Sequence, residues 1–117
     1  MKKTAIHLTD RALRDLDEID RFSVERFGKR AAARYFDDIN GALARLSESP
    51  TLLQERRERS LRLRFYPVRE HILVCDVLRG DIFVLAVWHG AMDLVRRLEE
   101  LEPRLIEEAE LLARKCK

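Results

Sequence analysis

A chain of 117 residues, 46% hydrophobic and 38% charged, has the length of one domain and can bury roughly two thirds of its unfolded surface. No apolar run reaches the ~18 residues of a membrane span, and a net charge of +2 is too small to imply nucleic-acid binding by itself. Two cysteines, Cys75 and Cys116, supply neither a disulfide framework nor a C-x-x-C zinc spacing, so a reducing cytoplasmic setting is expected, with no metal.

Met1-Lys2-Lys3 resembles the basic start of a secretory signal, but Asp10 and Arg11 arrive before an apolar segment of about 7 to 15 residues could form. A mature cytosolic N-terminus is expected. Lys3 to Leu8 reads as a strand, and Thr9 is placed to cap a helix by accepting from a backbone N–H two or three residues on. Leu13, Leu16, Ile19, Ser23 and Phe27 then recur at helical spacing, with Asp15, Asp17, Asp20 and Arg26 on the other side. Gly28 closes this helix, because glycine enters the left-handed region without a Cβ penalty. A second helix from Lys29 puts Ala32, Tyr35, Phe36, Ile39, Leu43 and Leu46 on one face, until Ser49-Pro50 stops it. Two helices joined so tightly form a helical hairpin. Gly41 inside the second costs ~1 kcal/mol against Ala and marks a close packing contact.

Ser60 to Tyr66 alternates: Leu61, Leu63 and Phe65 point one way, and Arg62, Arg64 and Tyr66 the other, which predicts an exposed, arginine-lined sheet face. Between Glu55 and His71 six arginines oppose three glutamates, a patch suited to an anionic partner. Pro67 is expected to end that strand. His71 to Leu78 forms the next, and Leu78-Arg79-Gly80-Asp81 a tight turn rather than an adhesion tripeptide. Seven apolar residues follow, Ile82 to Trp88, rich enough in β-branched and aromatic side chains to be covered on both faces. A two-residue turn pairs Leu78 with Asp81 and carries Glu70 opposite His89. His71 then falls on the other face beside Trp88, away from any shared metal site with His89.

Asp93 is expected to cap a short helix through Leu98. Glu102-Pro103 suggests a break, after which Leu101, Leu105, Ala109 and Leu112 continue an apolar stripe. From Glu99 onward six glutamates oppose four basic residues, so the tail could fold back and mask the basic face. It could also reach for another chain, as the assembly element of a degenerate, non-toxic binding module of the same fold, which leaves a homo-oligomer open. The element order predicts an α+β domain: N-terminal strand, helical hairpin, three-stranded antiparallel meander and C-terminal helix, with residues 1–98 as the domain and 99–117 its helical extension. No Walker loop or dinucleotide fingerprint occurs, so no cofactor is expected.

Ala12-x-x-Asp15-Leu16-x-x-Ile19, Phe27-Gly28-x-x-Ala31, Leu46-x-x-x-Pro50, Leu63-Arg64-x-x-x-Val68, His71-Ile72-Leu73 and Val84 to Leu94 together resemble the ParE branch of the RelE/ParE toxins, a group that includes plasmid stabilisation proteins. The resemblance covers about residues 5–98. It implies the β-α-α-β-β-β-α fold and a cognate antitoxin that wraps the helical hairpin and sheet. It also implies one of two targets: DNA gyrase, poisoned by ParE-like members, or the ribosome, where RelE-like members cut mRNA. Arg64 and His89 are the weak catalytic candidates for the second activity. RelE-like nucleases carry basic or aromatic groups just after the last strand, where this chain has Gly90, Ala91 and Met92. The resemblance therefore implies an inhibitor of gyrase rather than an enzyme, with Arg62, Arg64, Arg96 and Arg97 as target-binding candidates. Two departures from the ParE pattern bear on the target: Cys75 replaces a common strand aromatic, and no glycine follows Pro50 closely.

Overall fold

The computed structural model describes residues 3–90 and 93–116. Ala91 and Met92, on which part of the contrast with nucleases rests, lie outside the described residues, as do Met1, Lys2 and Lys117. The architecture is α+β in three layers. In chain order it runs β1 (Ile6–Leu8), α1 (Asp10–Glu48), a 3-10 turn (Pro50–Leu52), β2 (Gln54–Glu55), β3 (Arg64–Val68), β4 (His71–Leu78), β5 (Asp81–His89) and α2 (Leu94–Lys115). The sheet order is β1-β5-β4-β3-β2, with β1 parallel to β5 and the other neighbours antiparallel.

Thr9 starts α1 as its residue type predicts: Ala12 N–H donates to its hydroxyl oxygen at 3.2 Å, and the hydroxyl donates to Leu85 O at 3.1 Å. Gly28, at φ 86° and ψ 167°, breaks α1 into two arms, residues 10–27 and 29–48. That backbone region is essentially reserved for glycine. The arms run antiparallel over one sheet face, since Asp15 reaches Val87 while Ser47 on the returning arm donates to Thr4 O at 2.7 Å. Ala12, Tyr35, Ile39, Ala42 and Leu46 pack there on Leu73, Cys75, Val84 and Val87. Leu13 and Phe27, expected in this core, are 52% and 65% exposed. The buried stripe of the first arm is instead Ala12, with Leu16 and Ile19 partly covered, and Ser23.

The other sheet face is covered by α2, whose Leu94, Leu98, Leu105, Ala109 and Ala113 pack on Leu63, Phe65, Val74, Phe83, Leu85 and Trp88. Asp93 caps it, accepting from Arg96 N–H at 3.2 Å. The expected break at Pro103 does not occur: α2 is one helix of 22 residues with Pro103 inside it. Pro103 lies on the exposed side, and buried Leu98 and Leu105 on its two flanks hold the helix against the sheet, which outweighs the hydrogen bond that proline removes.

Three further expectations are corrected in the sheet. β3 begins at Arg64, not Ser60, because residues 57–59 form a turn and the chain bends at 61–62 before it enters the strand. It runs through Pro67, which faces Ile72; β2 reaches only Phe65 and Arg64, so beyond them β3 is an edge and the missing N–H of Pro67 is harmless. The β4–β5 turn has the expected two residues, with Arg79 and Gly80 both at positive φ. A bulge at Val74/Cys75 then shifts the register by one, with Cys75 facing Val84 and Val74 facing Ala86. His71 therefore faces His89, and Glu70 does not. Directly opposed residues share a sheet face, so the two histidines lie on one face and not on opposite ones.

Candidate functional site

Side chains of α1 and of its cap Thr9 close the edge of β5 beyond the short β1. Thr9 takes Leu85 O, and the Asp15 carboxylate accepts from Val87 N–H at 2.9 Å. Burial pushes the Asp15 carboxyl above its usual range, opposed by that backbone hydrogen bond. Where this cover ends, a cleft of about 320 Å³ opens, lined by Asp15, Glu18, Ile19, Phe22, Trp88 and Arg97 with both histidines. A second cleft of about 550 Å³ adjoins it, sharing Phe22, His71 and His89 and adding Phe27, Tyr35, Arg69 and Glu70.

The histidines are the floor of this double cleft. Their rings meet edge to face with centroids 5.3 Å apart, and the Tyr35 hydroxyl shares a hydrogen bond with His71 Nδ1. Burial, then the neighbouring His89, lowers the pKa of His71. Burial also pushes the Tyr35 phenol up to about 12, so this pair is neutral near neutrality. Arg69 lies over the Tyr35 ring at 5.1 Å and pairs with Asp38 at 2.9 Å. Phe22, 55% exposed, and Phe27 stand at the rim. The result is a double cleft with aromatic side chains at its rim and charged and polar groups, Asp15, Glu18, Arg69, Glu70 and Arg97, set among them. Burial pushes the Cys75 thiol up, which makes it an inert core group.

The arginine candidates do not form one surface. Arg97 lines the cleft with His89 and lies over the Trp88 ring at 5.3 Å. Arg96 is on the same turn of α2 and approaches Glu100 at 3.6 Å. Arg64, on the α1 face opposite Cys75, is bonded to Glu55 at 2.6 Å. Arg62 precedes β3 and turns to the α2 face, meeting Asp76 at 2.8 Å and Glu110 at 3.6 Å. The hydrogen bond to buried Asp76 raises the Arg62 pKa. Both faces of the sheet are thus covered, and the expected exposed arginine face is absent because residues 60–63 are not a strand.

Arg64 and His89 are also apart. Four residues along β4 and two strand spacings separate them, roughly 16 Å at the backbone, and Arg64 is drawn to Glu55 on the far strand β2. Sequence reasoning missed Tyr35, the His71–His89 contact and the Phe22 rim. One signal was present: Phe22 falls off the apolar stripe of the first arm.

The family described as the ParE toxin of type II toxin-antitoxin system, parDE, matches residues 6–94. A solved structure described as the chromosomal ParDE toxin-antitoxin system from P. aeruginosa superposes with a TM-score of 0.65 at 19% identity. It covers 74% of this chain and 96% of its own; at that identity the likeness concerns the fold. No curated protein matches the sequence significantly. The family match stops at Leu94, the first residue of α2.

Proposed function

Because the chain belongs to the ParE toxin family of type II toxin-antitoxin systems, we propose that it acts in the cytoplasm as a toxin that inhibits DNA gyrase and is neutralised by a cognate antitoxin. The family match over residues 6–94 carries this reading. The site geometry supports it. A protein inhibitor needs a surface that excludes water around a few anchors, and the double cleft with Phe22, Phe27, Trp88 and Arg97 is of that kind. An mRNA nuclease needs a base, an acid and a cation within reach of one phosphodiester. Arg64 is tied to Glu55 and distant from His89, and His71 is hydrogen-bonded to Tyr35.

Supercoiling of relaxed plasmid by purified gyrase tests the proposal. Inhibition or trapped cleaved DNA is expected at stoichiometric toxin, with relief by the antitoxin. Full supercoiling at saturating protein overturns it. Cleaved messages in a ribosome-dependent primer-extension assay would favour the nuclease instead.

A further inference from the structure

Leu61 is 88% exposed, and the segment that carries it is held by hydrogen bonds. Ser60 is buried, its hydroxyl oxygen accepts from Leu63 N–H at 2.9 Å and Arg62 N–H at 3.2 Å, and Arg56 O accepts from Arg59 and Ser60 N–H at 2.8 and 2.9 Å. A lone exposed leucine is ordinary on a protein surface, so the weight falls on the charged walls beside it. The same segment forms one wall of a cleft of about 370 Å³ whose other wall is α2. The turn contributes Arg57 and Arg59, and α2 contributes Glu99 and Glu102 above Leu98. Among the described residues none of these four charged groups has an ion-pair partner. Arg59 is drawn aside over the Phe65 ring at 5.8 Å.

We propose that this cleft is the interface of a two-fold homodimer. Leu61 of each copy rests on the α2 wall of the other, and Arg57 and Arg59 meet Glu99 and Glu102 across the axis. A two-fold interface must complement itself, and a positive lobe beside a negative lobe with an apolar residue between them does so. A nucleic acid or an acidic protein would satisfy the arginines but be repelled by the glutamates. A second copy is the partner whose matching surface this molecule itself displays. The pinned turn lowers the ordering cost of binding.

Sedimentation velocity of the full chain, at concentrations up to hundreds of micromolar, tests the proposal. A concentration-dependent monomer-to-dimer shift is expected, abolished in Leu61→Asp. The paired variants Arg57→Glu/Arg59→Glu and Glu99→Arg/Glu102→Arg are each expected to be monomeric alone, and to form a heterodimer when mixed. Thermal melts by circular dichroism establish that the variants fold. Leu61 is almost wholly exposed, so its substitution reads the interface even if a charge reversal disturbs the turn. Wild-type protein that stays monomeric throughout overturns the proposal, as does a dimer that survives Leu61→Asp.

Discussion

His71 is held between the Tyr35 hydroxyl and the His89 ring, and both burial and the neighbouring imidazole disfavour its charge, while Glu70 opposes them. Its folded pKa lies below that of the unfolded chain, about 6.5. Between the two values the unfolded state binds the extra proton, so stability is full above the unfolded pKa and falls as pH drops through the folded one. Urea midpoints are expected to be lower at about pH 5 than at about pH 7.5, and the difference to shrink in His71→Asn. An unchanged pH slope in that variant would place the titration elsewhere. Arg64 makes a different kind of prediction. Its contact with Glu55 is a half-exposed ion pair, worth up to ~1 kcal/mol. Arg64→Ala should therefore melt almost as the wild type does, and loss of gyrase inhibition in it would assign Arg64 to the target surface.

Gly28 joins the arms of the helical hairpin at a positive φ, yet a Cβ built there meets no atom within 4 Å. The cost of Gly28→Ala is thus pure backbone strain, about 1–3 kcal/mol, to be read as a lower urea midpoint with unchanged slope. An equal midpoint would mean that the hairpin can turn without glycine. Gly28, the caps Thr9 and Asp93 and the Arg79-Gly80 turn were legible in the sequence because each is a local matter, a side chain and a backbone group a few residues apart. The long-range outcomes were not. No residue near Leu85 announces the bulge that moves His89 from Glu70 to His71, so the floor of the candidate site was hidden although its residues were in view. β2 is too short to show a period. Pro103 misled because the steric rule it obeys is local, while the burial of Leu98 and Leu105 that overrides it is tertiary. Pro103→Ala should restore a hydrogen bond to α2 and raise stability by up to ~3 kcal/mol.

At the scale of the molecule, α2 lies almost wholly beyond the family match and yet forms one wall of the core. Its second half holds the layers together by two means: Leu105, Ala109 and Ala113 are buried on the sheet, and Glu108 takes Arg11 at 2.8 and 3.0 Å. That pairing lowers the Glu108 pKa and raises that of Arg11, the hydrogen bond being the leading cause in each. Deleting residues 104–117 would uncover Phe65, Phe83 and Leu85. Leu105 alone stands for about 2–5 kcal/mol by cavity cost, against a total stability of about 5–15 kcal/mol for a domain. The truncated chain is therefore expected to lose cooperative unfolding and to bind a hydrophobic dye, so that its inactivity would say nothing about the target. Leu105→Ala is the sharper probe, expected to lower the urea midpoint while leaving gyrase inhibition per folded molecule intact. A truncated protein that melts like the full chain would make the second half of α2 a detachable strap, and would return the sheet face beneath it to the surfaces a partner can reach.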